Sequence, residues 1–311
     1  MTIELILGAA ISEEAETINR LIKYFAIAAS FVFLVVACLL FYVCVRFRGK
    51  PGDPEPKQTT GNIKIEALAV GLSIALVVFF LFLTVKTMRE IEPGMNSQTA
   101  DVIITGHQWW WEVSYPGTGV TSANEVHLPA GKKLLLEMRS ADVIHDWSIP
   151  GMGPKIDLIP GKNNHLWLTI IKPGIYLGQC NEFCGIEHAR MHIRVIAQST
   201  EDFQQWLAEN EKPASAPADT MAIFGASLFQ NKTCSSCHRI RGTDAVATVG
   251  PDLTHMASRK TLVAGIMIND KANLLAWITD PQKIKPGAHM PDFLFKKDTI
   301  NAIAYYLSEL K

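Results

Sequence analysis

Cys180-Asn181-Glu182-Phe183-Cys184-Gly185-Ile186-Glu187-His188-Ala189-Arg190-Met191 is the densest run of chemistry in the chain, and it follows a β-type run at Ile175 to Leu177. Two thiols, an imidazole and a thioether are soft donors, suited to copper and poor for magnesium or calcium. A further histidine, His145, sits at the end of a strand-like segment in His145-Asp146-Trp147. On residue types alone the two cysteines could instead form a disulfide outside the cell or hold half of a zinc site.

Outward from this string, Asp101 to Ala197 alternates turns with short β-type runs: Val102 to Thr105, Glu125 to Leu128, Lys133 to Met138, His165 to Ile171, Ile175 to Leu177 and His192 to Ile196. Such runs predict a compact all-β sandwich or barrel of roughly a hundred residues. Glu201 to Glu209 reads as a closing helix, and Lys212-Pro-Ala-Ser-Ala-Pro-Ala-Asp219 as a small-residue, proline-containing linker. Beyond it Met221 to Gln230 and Asp298 to Leu310 have helical periodicity, so the last domain is small and mostly α.

Cys234-Ser-Ser-Cys237-His238 has the C-x-x-C-H spacing of haem attachment, in which the thiols add to the haem vinyl groups and the adjacent histidine ligates iron. Alone, the string could be coincidental or a thiol motif. Gly250-Pro251-Asp252-Leu253 follows it, and Lys285-Pro-Gly-Ala-His-Met290-Pro291 offers Met290 as a sixth ligand, preferred over Met256, Met267 and His289. Met256 and Met267 suit apolar packing.

Toward the N-terminus, Leu21 to Val45 is almost unbroken apolar sequence, and roughly 25 residues at about 1.5 Å each exceed the ~30 Å hydrocarbon layer. Ile65 to Val85 is a second run long enough to span, separated from the first by Arg46, Arg48, Gly49, Lys50, Pro51, Gly52 and Pro54. The pair predicts a transmembrane hairpin. Its loop is rich in Arg and Lys while Glu4, Glu13, Glu14 and Glu16 precede the first run, which places the loop in the cytoplasm and both termini outside. Met1 to Ile11 lacks a basic leader region and a clear small-residue cleavage site. Cys38 and Cys44 fall inside the first run, where a small buried hydrophobe is the usual role.

The 311 residues leave room for two or three domains, and a 48% hydrophobic content fits a chain partly in a bilayer. With 29 basic and 30 acidic residues, net charge -1, nothing supports a nucleic-acid partner.

The string from Cys180 to Met191, with His145 upstream, resembles the binuclear copper A motif of cytochrome oxidase subunit II. Gly106-His-Gln-Trp109-Trp-Trp111 resembles that family's aromatic segment, Lys155-Ile-Asp157-Leu-Ile-Pro160-Gly161 its segment before the site, and the two apolar runs its membrane hairpin. Residues 221 to 311, with Gly225-Ala-Ser-Leu228-Phe229 before the cysteines and a last helix ending Tyr305-Tyr306-Leu307, resemble class I cytochrome c. The resemblance implies a multi-domain fold: an N-terminal segment (1–20), a two-helix transmembrane hairpin (21–90), an all-β cupredoxin-like barrel carrying copper A (95–210), a linker (211–220) and an all-α class I cytochrome c domain (221–311).

It also implies roles for residues. Cys180 and Cys184 would bridge both coppers, His145 and His188 would each bind one, and Met191 and the carbonyl of Glu182 would be weak outer ligands. Trp109 would be where electrons reach the copper pair, and the Glu182 carboxylate would help bind magnesium at the contact with subunit I. Cys234, Cys237, His238 and Met290 would hold one covalent haem c. His107, His127, His165 and His192 lie off the ligand positions and are expected to be satisfied or exposed. Glu66 opens the second apolar run, where many family members place the mouth of a proton pathway; the tryptophan, threonine and proline that commonly follow are here Ala69, Val70 and Ser73, so an interfacial acid is the competing reading.

The implied function is that of subunit II of a haem–copper terminal oxidase. Such a subunit passes electrons from an external donor through haem c and copper A to a catalytic subunit, for oxygen reduction coupled to proton pumping. The chain would be an enzyme as a subunit of cytochrome c oxidase, with the oxygen chemistry in subunit I. Further partners are other oxidase subunits and a donor that is a cytochrome c, a copper protein or a quinol-oxidising complex. The expected location is the bacterial cytoplasmic membrane, multi-pass, with copper and haem domains on the periplasmic side. A copper A subunit of a nitric oxide reductase and a stand-alone membrane electron carrier are the alternatives.

Overall fold

The structure, a computed structural model, describes residues 9–55, 57–58, 61–92 and 99–311. The first eight residues, Glu4 among them, and the expected domain start at 95 lie outside the described residues. Two long helices come first, α1 (Glu13–Arg46) and α2 (Ile63–Ile91). Both outrun the apolar stretches that predict them, because good helix formers such as Glu, Ala, Arg and Lys carry the backbone ladder past the part matched to lipid. Asn62 starts α2, its side chain accepting from the Lys64 amide at 3.1 Å. Phe31, Phe41, Val77 and Leu81 are exposed on helices apolar all round, the mark of membrane spans rather than of a water-facing surface. Phe25 stacks on Phe80 with ring centroids 4.0 Å apart, and Arg20 approaches Glu90 at 3.8 Å. From Glu16 onward these helices form one compact unit; Ala10–Ala15 and the chain from residue 99 onward form another.

The second unit begins as a two-sheet barrel. One sheet has the order β3-β2-β1-β5-β8, built from β1 (Val102–His107), β2 (Trp110–Tyr115), β3 (Val120–Ala123), β5 (Lys133–Ser140) and β8 (Asn164–Thr169). The other has the order β4-β10-β9-β6-β7, from β4 (Glu125–Pro129), β6 (His145–Ser148), β7 (Ile156–Leu158), β9 (Gly174–Cys180) and β10 (His192–Gln198). Side chains alternate as a pleat demands, with Val102 and Ile104 of β1, Trp111, Val113 and Tyr115 of β2, and Ile193 and Val195 of β10 all inward. Trp111 and Trp147 meet edge-to-face at 5.7 Å in this core. An aromatic pair of this kind adds about 0.5–1.5 kcal/mol beyond its buried area. This is the cupredoxin-like barrel. Sequence periodicity misses β2, β3, β6 and β7 because β3, β6 and β7 are too short or too polar to show alternation and β2 is masked by adjacent tryptophans. One placement is corrected: His145 opens β6 rather than ending a strand.

Ser199 caps α3 (Thr200–Glu211) by accepting from the Asp202 amide at 3.1 Å, and Phe203, Trp206 and Leu207 pack on the barrel. Trp206 stacks on the His127 ring at 4.0 Å, while His127 Nδ1 lies 2.8 Å from Gln198 Oε1. Burial pulls His127 down to about 4. The neutral ring is therefore the folded form, and between pH 6.5 and 4 the unfolded chain takes up a proton that the folded chain refuses. Stability should fall by at most about 2 kcal/mol from pH 7 to pH 5 on this account. His127→Phe keeps the stack and removes the titration, so urea unfolding of the variant should lose that acid-dependent share; an unchanged pH slope would refute it.

The C-terminal domain follows with α4 (Thr220–Asn231), the short ladder β11 (Thr261–Leu262) and β12 (Met267–Ile268), α5 (Lys271–Thr279), α6 (Pro281–Ile284) and α7 (Lys297–Ser308). Asp219, Asp270 and Asp280 cap α4, α5 and α6. Phe229 of α4 meets Tyr306 of α7 at 6.1 Å over a core that includes Ile240, Met256, Ile303, Leu307 and Leu310. Helix α5 has a weaker apolar stripe than its neighbours and is not foreseen from periodicity.

Candidate metal and haem centres

The string from Cys180 to Met191 links antiparallel β9 and β10, and the Cys180 amide donates to the Met191 carbonyl at 3.0 Å, which closes it into a loop. The neighbouring strand β6 pairs with β9 through Trp147 opposite Cys180, so sheet order delivers His145 to the loop. Ligand atoms of His145, Cys180 and Cys184 lie within 4.8 Å of one another. Cys184 Sγ is 3.8 Å from Cys180 Sγ, 3.6 Å from His188 Nδ1 and 3.8 Å from Met191 Sδ, and Cys180 Sγ is 3.3 Å from the Glu182 carbonyl oxygen. All six donors expected of the copper motif are thus brought together. The sulfurs are too far apart for a disulfide, whose bond is about 2.05 Å. Sharing a hydrogen bond with Cys184 pulls the Cys180 thiol below the usual thiol range, and the same pairing pushes Cys184 up. The pairing favours one thiolate over two thiols, and a bound cation would favour loss of the second proton.

The residues around these donors hold them in place. Asp142 Oδ1 is 2.7 Å from His145 Nε2, which leaves Nδ1 free to coordinate, buried and without a hydrogen-bond partner. Burial raises the Asp142 carboxyl, but hydrogen bonds from His145, the Gln108 amide and the Val143 amide outweigh it and hold the group below the usual range. The turn between β1 and β2 contributes two donors to one acceptor: Gln108 Nε2 and Trp109 Nε1 donate to the Cys184 carbonyl at 2.7 and 2.9 Å. Gly185, at φ +120°, permits this approach, since a Cβ there would lie 2.8 Å from the Trp109 ring. Sequence reasoning gives no role to Asp142, three residues before His145, nor to Gln108 inside the aromatic segment; their contacts in the fold mark them.

The second centre stands on a tight turn after α4, where the Cys237 and His238 amides donate to the Cys234 carbonyl at 3.1 and 3.0 Å. His238 Nδ1 is 2.8 Å from the Pro251 carbonyl, which makes Nδ1 the donor and leaves Nε2 free to ligate. Gly250 lies flat against the ring, its place for a Cβ only 2.7 Å from His238 Cε1. Met290 is half-buried at the end of a loop that Gln282 organises, donating to the Ala288 and Met290 carbonyls at 2.8 Å each and accepting from the Gly287 amide at 2.9 Å. Met256 is 2% exposed inside the apolar core, the packing role expected of it.

A sequence model described as the periplasmic domain of cytochrome c oxidase subunit II matches residues 119–198, and one described as cytochrome c matches residues 223–311. The cytochrome c oxidase subunit 2 of Alkalihalophilus pseudofirmus is 34% identical over 292 residues, 92% of this chain and 84% of its own length. This chain belongs to the cytochrome c oxidase subunit 2 family. The subunit 2 of Bacillus subtilis is 31% identical over 294 residues, 88% of this chain and 82% of its own. A solved structure, the periplasmic domain of subunit II of cytochrome oxidase of Bradyrhizobium japonicum, is 31% identical with a TM-score of 0.35, covering 37% of this chain and 97% of that one. As a family member with a cytochrome c domain, the chain is a membrane-anchored subunit of an oxidoreductase. Its two domains imply copper A and haem c, and the soft donor set and the freed His238 Nε2 fit both.

The other expected residues fall in varied settings. Glu182 has an exposed side chain, free to meet a partner, and Glu66 stands in the first turn of α2, its carboxylate over Gly61. His127 is satisfied by Gln198, and His165 Nε2 approaches Glu137 at 3.8 Å. His107 stacks on Trp110 at 4.3 Å with Nε2 buried and unpartnered, and burial lowers its pKa.

Proposed function

We propose that this chain carries electrons from an external donor to a haem–copper catalytic subunit. Cys180 and Cys184 would bridge a binuclear copper pair completed by His145, His188, Met191 and the Glu182 carbonyl, and Cys234, Cys237, His238 and Met290 would hold a covalent haem c. Both groups supply one-electron chemistry with little change of geometry. The observation that carries the reading is the convergence of His145, Cys180 and Cys184 ligand atoms within 4.8 Å, with Trp109 hydrogen-bonded to the Cys184 carbonyl. Asp142 would fix the His145 tautomer, and the Trp109 indole would couple the loop to what lies above it. The domains would divide at 95–210 and 221–311 around a short linker.

The basic 46–64 loop supports a cytoplasmic position for it, with the copper and haem domains periplasmic and the membrane that of a bacterial cell. Glu182 would contribute to a magnesium site against subunit I. Oxygen against nitric oxide consumption by the purified complex separates an oxidase from a nitric oxide reductase, and a chain that purifies alone in mild detergent would be a stand-alone carrier.

Coupling to proton pumping would involve Glu66 as a point of proton uptake. Glu66→Gln removes the titratable group at similar volume and should slow steady-state turnover several-fold. Electron transfer between the haem and copper centres should be unchanged, since they would lie across most of the ~30 Å hydrocarbon layer. Turnover and pH dependence equal to the parent in an intact complex would make Glu66 an interfacial acid.

A further inference from the structure

The cytochrome domain closes over the copper loop at several independent points. Lys285, in the same loop as Met290, is 4% exposed, and its Nζ donates to the Trp109 carbonyl at 2.7 Å. Beside it the Arg190 guanidinium donates to the Ile284 carbonyl, and buried Glu187 approaches Arg190 at 3.4 Å. A second clasp lies at the head of β4. There Glu125, 2% exposed, accepts from the Lys260 amide at 3.0 Å and from the Thr261 amide and hydroxyl at 2.8 Å each. The His192 amide donates to the Ala264 carbonyl at 3.3 Å. The joining segment is pinned as well: Arg241 donates to the Asn210 and Glu211 carbonyls, and His255 Nε2 lies 3.0 Å from the Lys212 carbonyl.

Such contacts do not suit a domain swinging on a tether. Burying an ammonium and a carboxylate costs several kcal/mol per ion unless partners are in place, and here the hydrogen bonds come from the opposite domain, with Arg194 of the same barrel facing Glu125 at 3.8 Å. Burial pulls Lys285 down to about 8, with Glu187 acting against that shift. Trp109 is left only 7% exposed, with the His289 ring 5.8 Å from its own.

We propose that Lys285 is a positioning residue which, together with the Glu125 clasp, fixes the cytochrome domain on the Trp109 face, so that this face is reserved for the chain's own domain and closed to a separate donor protein. The docked geometry rests on no cofactor, while its consequence for electron transfer rests on the function proposed above. A fixed dock replaces the search of a tethered domain with a single preorganised contact.

The test is hydrogen–deuterium exchange on the full chain in its purified complex, with copper and haem content measured on the same samples. Lys285→Met keeps the aliphatic stem and removes the donor. Amide exchange in residues 184–192 and 282–290 should rise about tenfold, while α7 keeps its protection. Lys285→Arg should restore much of the protection, and Glu125→Gln should loosen residues 259–262 independently. Transfer between the two centres should slow by about tenfold with both midpoint potentials unmoved. Unchanged exchange in both loops of Lys285→Met and in residues 259–262 of Glu125→Gln would overturn the clasp. A parent chain without copper would instead overturn the functional reading and leave the exchange result to decide the dock.

Discussion

Cys180→Ser is expected to remove both coppers and the mixed-valence near-infrared band, with the haem c spectrum intact. Cys180 Sγ stands 3.8 Å from Cys184 Sγ and 3.3 Å from the Glu182 carbonyl, within the donor set that would hold the coppers. A serine hydroxyl is a hard, weakly acidic donor that does not replace a soft thiolate. The loss should exceed the about 10–100-fold drop in affinity that follows removal of an outer partner such as Asp142. Haem attachment should survive because Cys234, with Cys237 on the same turn, packs against a separate hydrophobic core. Metal analysis that finds two coppers retained in Cys180→Ser or Cys184→Ser would end the bridging assignment.

Met290→Ala is expected to abolish the methionine-to-iron absorption feature and to lower the haem potential by a sizeable part of the roughly 0.8 V range that axial ligands command. A thioether favours ferrous iron, and the replacements open to the site are water or a nitrogen donor, which favour ferric iron. Gln282 holds the loop through the Met290 main-chain carbonyl, which the substitution leaves in place, so the fold should tolerate it. Reduction of the haem by the external donor should slow because that step loses driving force, while the driving force from haem to copper rises, with copper content unaffected. Survival of the band in Met290→Ala together with its loss in Met256→Ala would move the ligand to Met256, at odds with that residue's place in the core.

The chemistry of both centres is legible in the chain because it is written in short contiguous strings. Cys234 to His238 and Cys180 to Met191 each carry their donors within a single loop, where residue type and spacing are the information. The two membrane helices are legible for a different reason, since length multiplied by rise must match a layer of known thickness. Their polar ends are not, because hydropathy marks lipid contact while the helix continues for as long as its backbone ladder does.

What the tertiary structure decided is everything that depends on strand order and burial. His145 reaches Cys180 only because β6 lies beside β9, while Asp142, three residues earlier in the chain, becomes its partner through the bend that leads into β6. Trp109 reads in the sequence as one of three adjacent tryptophans, yet the fold alone sets its indole on the Cys184 carbonyl and its own carbonyl on Lys285. In the sequence Lys285 only opens the string that leads to Met290, Glu125 only opens a β-type run, and residues 212–219 form a small-residue, proline-containing linker. Their burial against the opposite domain is invisible locally, because a charge is kept out of water only by partners far away in the chain, and no local period encodes where those partners will be.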